Sequence, residues 1–541
     1  MSRFDPTTRT WVGPRQPPVI NPAASLGQVI VNILERTPDR VFEIDVESEV
    51  AYTCDELRIR SIRAALNLAK KCGVSQGDMI CMVVSNSCSV TPLLFGCFLL
   101  GAPVHTLDAS FDESDLRQLM SLTQPKLVFC NQHNRAVVEA ACSQANLNAR
   151  VMVLDTAEVT GMLFEPVENE KLYRPAYLGD SDRTIAVVVC SSGTTGFPKA
   201  VCLTHAQLIA PYPRVSHLGS DTLLCFSSLY WVSALQVLMI ALFNGGKRIV
   251  TVQPFSPVYA YELIERFKIT YLFTPPPMLA DMVEYCEARR CVLPSSLRII
   301  GCGGSPLPES LEQRANELLK TATAGGKVYV GYAMSETGGI VSINLSGKPR
   351  SVGMLMANVT VRIVNEEGDF LGAEQEGELQ VRYIHPFAGY YGNEQETRAL
   401  LTADGFIQTG DIGYFDKVGF LYITDRKKEM LRYQGYQIAP AQLEAVLMEL
   451  ADVSQAVVVE LPHPKPPHVD LASALVVRTL NAAAPPLTEQ QLLDYVNGRV
   501  PDYKQLRGGI FFVDSIPRLP NGKINRRDAK KLALRLSQIN H

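Results

Sequence analysis

The run Ser191-Ser192-Gly193-Thr194-Thr195-Gly196-Phe197-Pro198-Lys199 gathers four hydroxyls, two glycines and a lysine within a few residues. Glycines let the main chain turn tightly and bring its N–H groups to an anion. The hydroxyls of Ser191, Ser192, Thr194 and Thr195 can donate to phosphate oxygens, and Lys199 adds a compact positive charge. The chemistry this order serves is the cradling of a polyphosphate. It is not the GxxxxGK[ST] loop, because Lys199 stands three residues after Gly196 and is followed by Ala200. Further on, Gly331-Tyr332-Ala333-Met334-Ser335-Glu336 sets a ring, a hydroxyl and a carboxylate in close succession. A carboxylate is the hard-oxygen ligand that Mg²⁺ takes beside phosphates. Gly303-Gly304-Ser305-Pro306 is, by itself, a turn of small residues. In Thr409-Gly410-Asp411 the carboxylate can accept charge-assisted bonds from two neighbouring hydroxyls. Asn521-Gly522 signals a turn with Lys523 at its tip.

Taken in order, these segments resemble the motifs of the adenylate-forming superfamily, which includes acyl-CoA synthetases, 4-coumarate–CoA ligases, firefly luciferases and the adenylation domains of peptide synthetases. The resemblance runs from about residue 184 to 530 and also takes in Asp425-Arg426-Lys427-Lys428 and Gly435-Tyr436-Gln437-Ile438-Ala439-Pro440. It implies an enzyme that uses ATP, Mg²⁺ and coenzyme A to turn a carboxylic acid, fatty or aryl, into an acyl-adenylate and then a thioester. By the same resemblance the loop from Ser191 to Lys199 holds the triphosphate and Gly303, Gly304 and Ser305 meet the adenine. Tyr332 stacks on the base, Gly331 lies beside it, and Ser335 meets the phosphate. Glu336 holds the metal, while Asp411 and Arg426 contact the ribose. Asp425 is the hinge, Gly435 and Tyr436 line the path of the thiol, and Lys523 is the catalytic lysine that bridges the carboxylate and the α-phosphate.

The chain departs from the family pattern in places. Tyr230 stands where many members have a histidine near the acyl site. With Trp231 it either gates the acid pocket or forms an aromatic pair of the core. Ala333 replaces a glycine and narrows the pocket wall, and Arg432 and Gln434 replace lysines common in luciferase-like members. These last changes bear on thiol transfer more than on adenylation. Alternative readings are therefore a different acceptor, such as a carrier protein or oxygen, or a nucleotide- or acyl-binding relative without catalysis.

Elements must position these residues. Met79–Ser85, Lys126–Cys130, Arg150–Leu154, Thr184–Cys190, Tyr271–Phe273 and Leu297–Gly301 read as buried strands. Helical patterns alternate with them, so a mainly parallel, layered α/β sheet arrangement is expected. After about Gly338 the strands shorten and turns become rich in Gly and Asp, which predicts a β-rich subdomain. Helices over Pro440–Leu450 and Thr488–Val500 and strands over Ser454–Leu461 and Gly509–Val513 predict a small α+β unit. The expected fold is α/β: a large N-terminal domain over 1–424, followed by a small mobile C-terminal domain over 425–541.

Composition sets the bounds. The chain has 541 residues, 47% hydrophobic and 20% charged, with a formal net charge of −4. That balance disfavours a nucleic-acid partner. Thirteen cysteines, none in CxxC pairs, favour a reducing compartment over a disulfide framework. The apolar stretches Thr91–Val104 and Val232–Phe243 are too short to cross a bilayer. The closing residues do not form Ser-Lys-Leu, so the cytoplasm is expected ahead of the peroxisome.

Overall fold

The computed structural model describes residues 1–191, 199–210, 221–433, 436–462, 470–480 and 487–539. Two sheets dominate. One is six-stranded, in the order Lys199–Thr204, Ile185–Ser191, Val104–Leu107, Ile80–Val83, Leu127–Cys130, Arg150–Val153. All its pairs are parallel except that between Lys199–Thr204 and Ile185–Ser191. The other is nine-stranded, and its interior runs parallel from Lys327–Met334 through Ile299–Gly303, Tyr271–Thr274, Thr222–Cys225 and Lys247–Val250 to Val41–Asp45.

The two apolar stretches too short for a membrane became the helices Val90–Leu100 and Val232–Asn244. Both contribute to the largest core, which also takes Val187, Val189, Phe129 and Met82 from the six-stranded sheet and Leu223 and Phe42 from the nine-stranded one. A helix that is apolar on all sides belongs between two layers. Gly101 and Gly245 end these helices in the left-handed conformation, with φ of 69° and 73°.

The β-rich part differs from expectation at its start. Gly339–Asn344 and Met354–Leu355 extend the nine-stranded sheet by antiparallel pairing. The separate sheet begins at Thr360 and runs Thr360–Val364, Gly377–Arg382, Ile407–Phe415, Leu421–Arg426. Its other edge is made by Thr10–Val12 and Arg3–Asp5, from a segment that reads as polar and Pro-rich. Trp11 decides this: it is 3% exposed and stacks on Phe415 at 4.5 Å.

From Leu431 onward the chain builds two cores drawn only from its own residues, one around Leu443, Val458 and Ala474 and one around Val457, Leu475 and Ala529. Among the described residues no helix is long and apolar enough to cross a membrane.

Candidate active site

Strand Ile299–Gly303 ends opposite Gly331, and Lys327–Met334 runs on past that point to Met334, paired antiparallel with Gly339–Asn344. Chain leaving the carboxyl ends of parallel strands is free of sheet pairing and is where such sheets bind ligands. Gly304 and Ser305 leave at the first of these ends, and Ser335 and Glu336 follow Met334 at the second, while Tyr332 and Ala333 are still paired with Ser342 and Ile340. Ser191 ends its strand and is paired in register with Lys199 at the start of the next. Ser192, Gly193, Thr194, Thr195 and Gly196, with Phe197 and Pro198, lie outside the described residues, as does Gly435; of Tyr436 only the backbone, in the strand Tyr436–Ile438, is described.

On one side of the cleft Asp411 is the centre. It is 5% exposed, receives the Tyr332 hydroxyl on Oδ2 at 2.5 Å and the Arg426 Nε on Oδ1 at 3.0 Å. Burial and the adjacent carboxylate push the Tyr332 phenol far up, so it stays a donor. An ionised carboxylate has about four acceptor positions, which leaves two for vicinal hydroxyls. Asp411 lies inside the strand Ile407–Phe415 and Arg426 ends Leu421–Arg426; the two are register partners. The sheet thus sets the ion pair.

On the other side Glu336 accepts from the Tyr390 hydroxyl at 3.0 Å. Burial raises the Glu336 carboxyl above its usual range, which marks a site that favours an added cation. The Lys199 Nζ lies 4.8 Å from the centre of the Tyr390 ring and pairs with Glu396 at 2.5 Å. Among the described residues no group of three or more His, Cys, Asp or Glu could hold a metal unaided. A single carboxylate suits Mg²⁺ that arrives on a nucleotide and keeps phosphate oxygens and water as its other ligands.

Tyr390 and Glu396 carry no signal in the sequence. They reach the site because 389–391 pairs with the strand Lys199–Thr204: Cys202 N–H donates to Gly389 O at 3.0 Å and Tyr391 N–H to Ala200 O at 2.7 Å. A pairing between segments so far apart in the chain has no local signature.

Lys523 closes the cleft. Its turn is bridged at the base by Arg518 and Ile524, with Leu519 N–H donating to Lys523 O at 2.7 Å and Gly522 N–H to Leu519 O at 2.8 Å. The side chain runs over Gly304, where φ is 96° and any Cβ would stand 2.2 Å from Lys523 Cε and 2.6 Å from Nζ. Conformation favours glycine at 304, and a Cβ there would push the end of the Lys523 side chain aside. Burial, then the charge of Arg426, lower the Lys523 ammonium to about 8. Asp425, 5% exposed, accepts from Arg426 N–H at 2.7 Å and from Ala441 N–H at 3.2 Å, which ties the end of the edge strand Leu421–Arg426 to the helix Pro440–Leu447. Burial pushes its carboxyl up to about 6.

Tyr230 does not join this group. It is 5% exposed and meets Phe111 at 5.1 Å and Trp231 at 4.6 Å, both edge-on. Cys81, Leu119 and Cys190 share its core on the six-stranded sheet. That placement answers to the core reading of the aromatic pair. Ala333 is exposed.

The geometry agrees with what the chain is similar to. Residues 31–391 match the model of the AMP-binding enzyme family, and 442–523 match the AMP-binding enzyme C-terminal domain. The chain is 27% identical to a probable 4-coumarate–CoA ligase 1 of Dictyostelium discoideum, over 96% of this chain and 98% of the relative. It is 28% identical to the peroxisomal OPC-8:0-CoA ligase 1 of Arabidopsis thaliana, over 99% of each. The fold matches the anthranilate CoA ligase AuaEII in complex with anthranoyl-AMP, with a TM-score of 0.83 at 19% identity, covering 96% of this chain and 99% of that one. The chain belongs to the AMP-binding enzyme family.

Proposed function

We propose that this cleft activates a fatty or aryl carboxylic acid with ATP and then passes the acyl group to coenzyme A, with residues 425–541 as the mobile part. The observation that carries the reading is Lys523, on its turn from the terminal domain, laid across Gly304 and within reach of the charge of Arg426, which holds Asp411.

In the first step a carboxylate oxygen attacks the α-phosphorus and pyrophosphate leaves. Two anions must approach, so the catalytic task is chiefly positioning and charge stabilisation. Asp411 holds the ribose hydroxyls, with Tyr332 and Arg426 fixing its carboxylate. The Ser191–Lys199 segment takes the departing pyrophosphate, and Lys523 sets its positive charge between carboxylate and α-phosphate. Bound at Glu336, Mg²⁺ supplies further charge neutralisation on the phosphates. In the second step the thiol attacks the acyl carbonyl and AMP leaves. Lys523 then obstructs the approach, and rotation about Asp425 withdraws it, a hinge motion in which one small domain serves two half-reactions. Coenzyme A as acceptor and aryl or fatty acids as substrates are supported by the relatives' names. The cytosol is the proposed site of action, and imaging of the tagged full chain in its own cells tests it against the peroxisome.

The test of the reading is pyrophosphate exchange over a panel of acids, followed by thioester formation with coenzyme A. Exchange with at least one aryl or fatty acid, and a coenzyme A thioester from the same acid, are expected. Exchange with no acid, or an adenylate that never yields the thioester, defeats it.

A pH dependence follows from Lys523. Its charged form does the work, and it loses its proton near 8 in the free enzyme. The kcat/KM of adenylation is therefore expected to fall about tenfold per pH unit above that value. Lys523→Arg, whose guanidinium keeps its proton, should give a slower but flat profile. A wild-type profile still flat at about pH 9.5 would remove Lys523 from this role.

A further inference from the structure

We propose that Arg518, Asp281 and Gln455 form a latch that positions Lys523 for adenylation and must open before thiol transfer; this rests on the two-step reading above. Arg518 sits at the base of the turn whose tip is Lys523. Its guanidinium grips Asp281 with both ends, Nη1 to Oδ2 at 2.5 Å and Nη2 to Oδ1 at 2.9 Å. Gln455, 7% exposed, completes a triangle: its Nε2 donates to Asp281 Oδ1 at 2.9 Å and its Oε1 accepts from Arg518 Nη2 at 2.9 Å.

The three groups come from both sides of the hinge. Asp281 lies on the helix Pro276–Arg289 of the large domain, while Gln455 is on the strand Val453–Pro462 and Arg518 precedes the Lys523 turn. Asp281 is the middle of three positions spaced by three on one helix face. Before it, Met278 abuts Gly522, where φ is 82° and a Cβ would come within 2.3 Å of the Met278 Cε. After it, Glu284 accepts from Ser454 Oγ at 2.7 Å and from Leu480 N–H at 2.5 Å.

A two-pronged ion pair fixes direction as well as distance. The reach of Lys523 to Gly304 inherits that accuracy, and positioning of a reacting charge is worth large factors in rate. Any rotation that withdraws Lys523 also carries Arg518 and Gln455 away from Asp281. The contacts therefore stabilise one orientation and not the other, which shifts the population toward the adenylating arrangement. Arg518, Asp281 and Gln455 are positioning residues, acting through Lys523.

The test uses Asp281→Ala and the exchanged pair Asp281→Arg with Arg518→Asp in the full chain. Asp281→Ala is expected to slow acid-dependent pyrophosphate exchange by about ten- to hundredfold. Thioester formation from a supplied acyl-adenylate and coenzyme A should stay within a factor of about three. The exchanged pair should regain most of the loss. Without nucleotide, amide hydrogen exchange in the peptide containing Arg518 to Lys523 should speed up by about tenfold in Asp281→Ala and return in the exchanged pair. Equal loss of both half-reactions, undiminished adenylation, or unchanged amide exchange would each overturn the latch. If the wild type adenylated no acid while the amide-exchange pattern appeared as described, the two-step reading would fail and take the latch's part in adenylation with it, leaving only the clasp of Arg518 on Asp281 as a contact that orders the Lys523 turn.

Discussion

Replacing Lys523 by Ala lowers acid-dependent pyrophosphate exchange by about a thousandfold and leaves transfer from a supplied acyl-adenylate within a factor of about three. The size follows from what the ammonium replaces. Its charge sits where a carboxylate must approach a phosphate, in a cleft where burial has already drawn the amine down to about 8. A preorganised charge there stabilises the transition state without solvent reorganisation, and Ala restores the repulsion in full. The second step starts from an adenylate in which that repulsion no longer exists, so the lysine has nothing left to offset. The side chain rests on Gly304 rather than in a core, so its removal leaves no internal cavity and the variant should fold. The check is a pair of single-turnover assays on the same preparation, one for each half-reaction. Loss of transfer in step with adenylation would assign Lys523 to general substrate binding instead.

Glu336→Gln is expected to lower adenylation by about a hundredfold while the nucleotide-free protein melts at the same temperature or slightly higher. Gln keeps the size of the side chain and an oxygen to accept from Tyr390, whose hydroxyl now bonds Glu336 at 3.0 Å. What is lost is the negative charge. Burial opposes that charge in the free protein, as the raised Glu336 carboxyl indicates. Neutralising it should therefore cost no stability, whereas the cation delivered with the nucleotide loses its protein ligand. Titrating Mg²⁺ at fixed ATP should show a rightward shift in the variant, and melting curves should show a smaller gain on adding the nucleotide with Mg²⁺. A variant with unaltered Mg²⁺ dependence would place the metal elsewhere.

Local pattern made much of this molecule legible. The buried strands Ile185–Ser191 and Ile299–Gly303 follow from apolar runs of the right length, whereas the stretch Val232–Phe243, legible only as too short for a membrane, lies in the helix Val232–Asn244, closed by Gly245. The β-rich part expected after about Gly338 starts later, since Gly339–Asn344 joins the nine-stranded sheet; local pattern identifies a strand but not its neighbour. The N-terminal Thr10–Val12 was missed because three residues are too few to show alternation; Trp11 earns its place only against Phe415. In the site, Lys523, Glu336, Asp411 and Arg426 were visible as chemistry in order. Tyr390, Glu396, Asp281 and Gln455 were not, since each is an ordinary residue until another part of the chain is folded against it.

The sequence by itself determined which functional groups exist, in what order, and which short turns present them, because turn and strand formation depend on near neighbours. Only the tertiary structure decided that Asp411 is clasped by Tyr332 and Arg426, that Tyr230 lies in a core, and that Lys523 crosses Gly304 with Arg518 gripping Asp281 behind it. Those facts depend on distances between segments remote in the chain, which the packing of sheets and domains sets and no local preference encodes.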